Sequence, residues 1–190
     1  MISARIVQDV ETLKALADPA RLNILEIMMI DQARTWTAKE LAAAIQMPIK
    51  KIYYHLGLLE QRDLLHVRDT AVINGIIEKH YAASQESIRF QRGADHPDPD
   101  DDMGTLVTTM FDGARANVLS GLRSGSAVMH REAPDDKRVV VSYSASAMSP
   151  ERAGRFRDAL LEVIEEFQAT SVPGASQFEL LVAIAPRTEP

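Results

Sequence analysis

The sequence contains no cysteine among its 190 residues. Without thiols the chain can form no disulfide, no thiolate nucleophile and no Cys-ligated zinc or iron–sulfur site. Long apolar runs are also missing, since no stretch approaches the roughly 20 apolar residues that span a bilayer. The first ten residues lack the basic and apolar regions of a signal peptide. We therefore expect a cytoplasmic protein that has no membrane partner and is not secreted.

The sequence also lacks the short motifs of familiar catalysts. It has no Gly-x-Ser-x-Gly elbow, no Gly-x-Gly-x-x-Gly loop, no P-loop and no His-Glu-x-x-His. Its five histidines, at positions 55, 66, 80, 96 and 130, never recur at the spacing that places two ligands on one helix face. The acidic run 95–102 lacks the glycine and glutamate of a calcium loop. These absences predict a protein that is not an enzyme and has no metal and no cofactor.

Charge is distributed unevenly along the chain. The formal net charge is -6, with 46% hydrophobic and 25% charged residues, a composition that excludes wholesale disorder. Residues 1–92 contain 12 Lys and Arg against 11 Asp and Glu, whereas residues 93–190 contain 9 against 16. DNA is attracted by a local basic face and not by the chain total. The acidic second half therefore does not exclude a DNA partner for the first half.

A linker separates two predicted domains. Residues 93–102 combine two prolines with five aspartates and contain no periodic apolar position. This places a first domain at 1–92 and a second at 103–190. We expect an α+β protein, with an N-terminal winged helix-turn-helix and a small C-terminal helix-strand-helix-strand domain.

Apolar spacing in the first domain predicts four helices. Residues 10–16 and 22–28 form two helical patterns, separated where Asp18 can cap the second helix and Pro19 can occupy its first turn. Thr37 and Glu40 form a capping box that opens a short third helix. After a tight turn, a fourth helix runs from about residue 48 to residue 60 or 61.

Two strand-like segments follow these helices. Residues 64–68 and 76–81 flank a loop that contains Asn74-Gly75, a pair that favours turns with positive φ. The order of three helices, a tight turn, a fourth helix and a β-hairpin is that of a winged helix-turn-helix. The helix after the tight turn is the one that enters a major groove, and the hairpin is the wing.

The same residues resemble a known family. The run Leu16-Ala17-Asp18-Pro19-Ala20-Arg21-Leu22-Asn23-Ile24-Leu25, the segment Glu40-Leu41-Ala42, the segment Tyr54-His55-Leu56-Gly57-Leu58-Leu59-Glu60 and the segment Gly75-Ile76-Ile77-Glu78-Lys79-His80-Tyr81 are similar to ArsR-type winged-helix regulators. The resemblance covers about the first half of the chain. It implies a homodimeric transcriptional regulator that binds double-stranded DNA at an operator, usually a repressor that an effector releases.

The predicted DNA contacts lie on the fourth helix, the third-helix cap and the wing. Lysine and arginine suit phosphates, and tyrosine can contact phosphate, sugar or thymine methyl groups. Alternatives remain open: one tyrosine could be core, the lysines a solvated face, His55 a packed residue and Thr37 only a cap. The candidates are Thr37, Lys50, Lys51, Tyr53, Tyr54, His55, Arg68 and Lys79.

The tip of the wing, residues 70–74, is unusually apolar for an element that reads DNA. It could pack against protein. This feature and the near-neutral first domain support an alternative function, a winged-helix protein-interaction module without DNA binding.

The apolar spacing of the second domain predicts two helices and two strands. Apolar residues at helical spacing predict a helix from about 104 to 123, and alternating apolar and polar residues predict a strand at 138–147. A second helix, capped at Ser149-Pro150, runs to Phe167, and a second strand is predicted at 177–185. Two strands alone are marginal, so we expect them to pair or pack across a dimer. A small-molecule effector pocket could have Met110, Phe111, Tyr143 and Met148 as walls, although these side chains could equally be core and dimer contacts.

Overall fold

The computed structural model describes residues 4–90, 102–169 and 175–187. The predicted linker therefore lies outside the described residues except for its last position. The chain divides into two compact units, unit 1 at residues 1–110 and unit 2 at residues 111–190. Helices and strands are both present, and the N-terminal part has the helix-turn-helix arrangement, so the predicted α+β class is confirmed.

Unit 1 contains the predicted helices and hairpin in the predicted order. A three-stranded antiparallel sheet has the order β2-β4-β3, and a parallel pair joins β1 to β5. The elements are β1 Ala4–Val7, α1 Val10–Leu16, α2 Pro19–Ile30, β2 Trp36–Thr37, α3 Ala38–Ala44, α4 Ile49–Gln61, β3 Leu65–Ile73, β4 Ile76–Ala83 and β5 Ser87–Phe90.

Local capping chemistry sets the start of α2. The Asp18 carboxylate accepts hydrogen bonds from the backbone N–H groups of Ala20 and Arg21, at 3.0 and 3.1 Å. These bonds satisfy donors that an uncapped helix would leave free. The Arg21 side chain in turn donates to the carbonyls of Ala15 and Lys14 at the end of α1. One short segment therefore caps α2 and ties it to α1.

The core of unit 1 lies between the helices and the three-stranded sheet. Leu16, Ile24 and Leu25 from α1 and α2 are fully buried. The first turns of α5, which spans Asp102–Ser124, also contribute to this core, because Leu106 is fully buried in it. The remaining fully buried large side chains are Val7, Met28, Leu41, Ile52, Leu56, Leu59, Leu64 and Leu65.

The wing is a longer hairpin than the sequence predicts. Its two-residue turn has Asn74 at φ 53° and Gly75 at φ 79°, the left-handed pair of a type I′ turn. The ladder extends to Ile73↔Ile76 beside the turn, and a register shift lies between Val67 and Asp69. Residues 69–73 are therefore strand and not loop.

The β1–β5 pair was not predicted. Arg5 on β1 donates to the carbonyls of Asp63 and Arg62 just after α4, at 2.5 and 2.6 Å. The register runs from Ala4↔Ser87 to Val7↔Phe90. Strands of four residues carry too few alternations for periodicity to reveal them.

Unit 2 contains the two predicted helices, α5 continuing from unit 1 and α6 at Pro150–Ala169. The Ser149 hydroxyl accepts from the backbone N–H of Arg152 at 3.3 Å, as expected of the cap. The two predicted strands do not form within the chain: residues 138–147 and 177–185 make no ladder among the described residues, where only an isolated bridge joins Val128 to Arg138. Alternation identifies the faces of a strand, but a strand also needs a partner for its backbone.

None of the helices described is both long enough and apolar enough to cross a membrane.

Candidate nucleic-acid interface

A tight turn joins α3 to α4. Gln46 adopts φ 54°, and the backbone N–H of Met47 donates to the carbonyl of Ala42 at 2.9 Å. This left-handed residue ends α3 and reverses the chain so that α4 can begin after Pro48. The geometry is that of a helix-turn-helix, with α4 as the second helix of the motif.

One side of α4 is built into the core. Ile52 and Leu59 are fully buried and Leu56 is 1% exposed. Their spacing of three and four residues places them on a single face of the helix. Because that face is fixed by packing, the opposite face of α4 is presented to solvent in a defined orientation.

The outer face of α4 presents two tyrosines and two lysines. Tyr53 is 57% and Tyr54 is 64% exposed, so neither is a core residue. Lys50 and Lys51 are exposed as well. They precede Tyr54 by four and three residues and therefore neighbour it on the helix surface. The structure thus brings these four predicted residues together on the exposed side of α4.

Lys50 and Lys51 also keep their charges uncompensated. Neither has an acidic partner in the described parts of the chain, and the same holds for Lys39 in the first turn of α3. Free ammonium groups on the two helices of the motif are available to phosphates. Lys39 is not among the residues predicted from the sequence, because it lies inside the capping box, where Thr37 and Glu40 already account for the local pattern.

The two predicted cations of the wing are engaged with protein groups. Arg68 donates to the carbonyls of Gln32 and Ala33, at 3.3 and 3.2 Å. Lys79 forms an ion pair with Glu60 at 3.7 Å. Both side chains are exposed at the surface. Phosphate contact by either residue would compete with these existing partners, so they are weaker candidates than the lysines of α4.

His55 lies on the inner side of α4 and not on its outer face. It is 8% exposed, its Nδ1 is 3.8 Å from the Asp18 carboxylate, and that nitrogen has no hydrogen-bond partner among the described residues. The Tyr54 ring meets it edge-on, with centroids 5.5 Å apart. Of the two alternatives open from the sequence, this placement favours a packed residue that supports the position of Tyr54.

Thr37 performs the capping role predicted for it. Its hydroxyl accepts from the Glu40 backbone N–H at 3.2 Å, and its own backbone N–H donates to the Glu40 carboxylate at 2.8 Å. Arg34 also donates to Glu40, at 3.2 Å, while its guanidinium lies 3.6 Å over the Trp36 ring. This cluster fixes the start of α3.

The Glu40 carboxylate is expected to make the stability of unit 1 depend on pH. The hydrogen bond from the Thr37 backbone holds the pKa of Glu40 below its ordinary value of 4.5, aided by the Thr37 hydroxyl and Arg34 and opposed by partial burial. A lowered pKa stabilises the folded state fully above about pH 4.5, and this contribution is lost as the pH falls through the folded-state pKa. In urea unfolding between pH 7 and pH 3, the free energy of unfolding should fall more steeply for the wild type than for Glu40→Gln. Parallel curves would contradict this account.

The tip of the wing is an exposed aliphatic patch. Val72 and Ile77 are 73% and 69% exposed, and their neighbours Ile73 and Ile76 are 49% and 72% exposed. The ladder pairs Val72 with Ile77 on one face of the hairpin and Ile73 with Ile76 on the other, so each face of the tip carries an exposed aliphatic pair. Exposed apolar surface of this kind is typical of contact with a partner.

One of the four predicted effector residues belongs to unit 1 and three belong to unit 2. Met110 packs against the core of unit 1. In unit 2, Tyr143 is 90% exposed, Phe111 47% and Met148 37%. Their role in binding an effector remains a prediction. Among the residues that the structure describes, no group of three His, Asp or Glu side chains could hold a metal ion.

Comparison with known families agrees with the geometry of this site. A helix-turn-helix domain family matches residues 16–68, which is 53 of the 190 residues. The matched range runs from the end of α1 to the first residues of β3 and includes all of α3 and α4. No curated protein matches the chain. The chain carries a helix-turn-helix domain, which supports a DNA-binding regulator.

Proposed function

We propose that this protein is a sequence-specific transcriptional regulator that inserts α4 into the major groove of double-stranded DNA. The observation that carries the proposal is the outer face of α4, where Lys50, Lys51 and Tyr54 are exposed and the two ammonium groups are unpaired among the described residues. An α-helix fits the major groove, and its exposed side chains meet base edges and phosphates there.

Each side chain on this face has a distinct role in the proposal. Lys50 and Lys51 contact phosphates, which fix the position of the helix on the duplex without reading sequence. Lys39 adds a phosphate contact from α3. Tyr54 lies between the lysines and the packed His55, so its ring is held at the surface where it can contact base edges or thymine methyl groups.

The protein is further proposed to be a homodimeric repressor of the ArsR type. The resemblance of the Leu16–Leu25 and Tyr54–Glu60 segments supports this assignment. Arg21 of the first segment ties α1 to α2, a structural reason for that residue in the motif. A dimer would place two copies of α4 in successive major grooves, so the operator would be an imperfect palindrome with half-sites about one helical turn apart. Release by a small effector bound in unit 2 belongs to the same proposal.

The wing tip favours a second candidate function. Its exposed side chains are aliphatic, and the positive charge of Lys79 is neutralised by the ion pair with Glu60. Such a surface suits a protein better than a phosphate backbone. A winged-helix module that binds protein through this tip, without DNA, is the alternative that a binding experiment must separate from the first.

Fluorescence anisotropy on two labelled duplexes tests the DNA-binding proposal. One duplex is enriched by selection from a random pool and the other has random sequence. The wild type should bind both at about 50 mM salt, with affinity falling steeply towards about 200 mM. Absence of binding at low salt would overturn the proposal and favour the protein-interaction module.

The same assay assigns Tyr54. Tyr54→Ala should weaken binding to the selected duplex by about tenfold, which lies in the lower part of the range of about 1–3 kcal/mol for a base contact, and affect the random duplex much less. Tyr54→Phe separates the hydroxyl from the ring, because it removes only the hydrogen-bonding group. If Tyr54→Ala lowered the affinity for both duplexes equally, Tyr54 would not contact bases.

A further inference from the structure

The elements of unit 2 leave their apolar sides uncovered. Helix α6 is amphipathic, yet no residue of it is buried. Phe156 and Val163 on this helix are 47% and 53% exposed. A helix packed against its own domain normally hides such a stripe. The described part of unit 2 therefore lacks a covering surface for α6.

The two segments with strand periodicity show the same deficit. In residues 139–147, Val141 is 63% and Tyr143 is 90% exposed. In residues 177–185, Phe178 and Ile184 are 55% and 40% exposed. Neither segment takes part in a ladder among the described residues. Extended chain with strand patterning and unpaired backbone groups is a template for pairing with another chain.

The segment 177–185 is held by a hydrogen bond to α5 within unit 2. The Asn117 amide of α5 donates to the Glu179 carboxylate at 3.1 Å. This contact places residues 177–185 beside α5. The segment 139–147 is held through the backbone at its first residue, where the Val139 N–H donates to the Val128 carbonyl at 2.9 Å. Among the described residues, 140–147 make no comparable backbone bond, so their backbone groups are available to an external partner.

A second copy of the chain fits this surface by size, and charge opposes it only weakly. Fifteen large apolar residues of unit 2 are exposed, against about 20–30 residues on each side of a standard interface. Residues 111–190 contain 9 Lys and Arg and 11 Asp and Glu, a net charge of -2. Two such units repel each other weakly, and an apolar surface that two identical chains share can cover itself about a two-fold axis.

We propose that unit 2 completes its fold on a second copy of itself, with residues 139–147 of the two copies paired as antiparallel strands. A two-fold axis brings a segment opposite its own copy in the reverse direction, which requires the antiparallel arrangement. The apolar sides of α6 and residues 177–185 then close over the joined strands. The inference rests on the proposed function for the purpose of the dimer, since two copies would present two α4 helices to one operator.

Sedimentation velocity of the full chain tests the interface. The wild type should sediment as a species of twice 21.0 kDa. Val141→Lys should raise the dimer dissociation constant at least about tenfold, because it places a charge on the apolar face of the strand in both copies. Ser142→Lys adds the same charge on the opposite, polar face and should remain dimeric. A monomeric wild type, or equal behaviour of the two variants, would overturn the proposal.

Hydrogen–deuterium exchange of the same protein separates pairing between copies from pairing within one chain. The amides of residues 139–147 should be protected at concentrations that favour the dimer and lose protection on dilution. Protection that is independent of concentration would show pairing within the chain, and no protection in a dimeric sample would place the interface elsewhere; either result overturns the proposal. Exchange in unit 1 reports whether a variant still folds. A dimer that fails to bind DNA would contradict the proposed function but not this interface.

Discussion

Replacing Lys50 and Lys51 together by alanine should weaken binding to every duplex by about a hundredfold, at about tenfold for each lost charged hydrogen bond. Both side chains are exposed and have no acidic partner in the parts of the chain that the structure describes. Each phosphate contact releases counterions, so the slope of log affinity against log salt should become shallower by about 2. Anisotropy titrations at several salt concentrations measure both quantities.

A charge-matched control makes this experiment specific to α4. Arg131→Ala combined with Lys137→Ala removes the same two charges from exposed positions in unit 2. That variant should retain nearly wild-type affinity and salt slope, because neither residue belongs to the helix-turn-helix motif that makes the proposed phosphate contacts. If the two double variants lost affinity equally, binding would depend on net charge and α4 would not be the contact surface.

Leu56→Ala should destabilise unit 1 by about 2–5 kcal/mol, a large part of the roughly 5–15 kcal/mol typical of a domain. Leu56 is 1% exposed on the inner face of α4, among the side chains that join this helix to the core. Its truncation leaves a cavity that the surrounding helices can fill only partly. Urea unfolding followed by circular dichroism measures the loss.

Leu58 provides the matched control on the same helix. It is half-buried and lies two positions on, so it faces away from Leu56. Leu58→Ala should cost clearly less stability than Leu56→Ala. Equal costs would show that the helix does not pack on the face described here, and the assignment of Tyr54 and the two lysines to the outer face would fall with it.

Features fixed by local chemistry could be predicted from the sequence. The Asp18 cap, the Thr37 and Glu40 capping box and the Asn74-Gly75 turn all form as expected, because each depends on residues within three or four positions of one another. The outer face of α4 follows from its apolar spacing, since burying Ile52 and Leu59 leaves the lysines and tyrosines outside. Helical periodicity thus located the candidate interface.

Features that depend on distant partners could not be predicted. Arg68 is held by carbonyls some 35 positions away, and the β1–β5 pair joins residues that are 83 positions apart, such as Ala4 and Ser87. His55 lies beside Asp18, a contact that only the packing of α2 against α4 creates. Residues 138–147 alternate like a strand, but no pattern in one chain identifies the strand that should pair with them.

A competition gel shift on the upstream region of the protein's own gene measures sequence-specific DNA binding without a selected duplex. Regulators with a helix-turn-helix contact both phosphates and bases, so specific binding should survive competition while remaining sensitive to salt. We expect a retarded band that persists in excess random competitor and weakens as salt is raised. Failure to retard the DNA at low salt would contradict DNA binding, and a band that random competitor removes completely would contradict specificity.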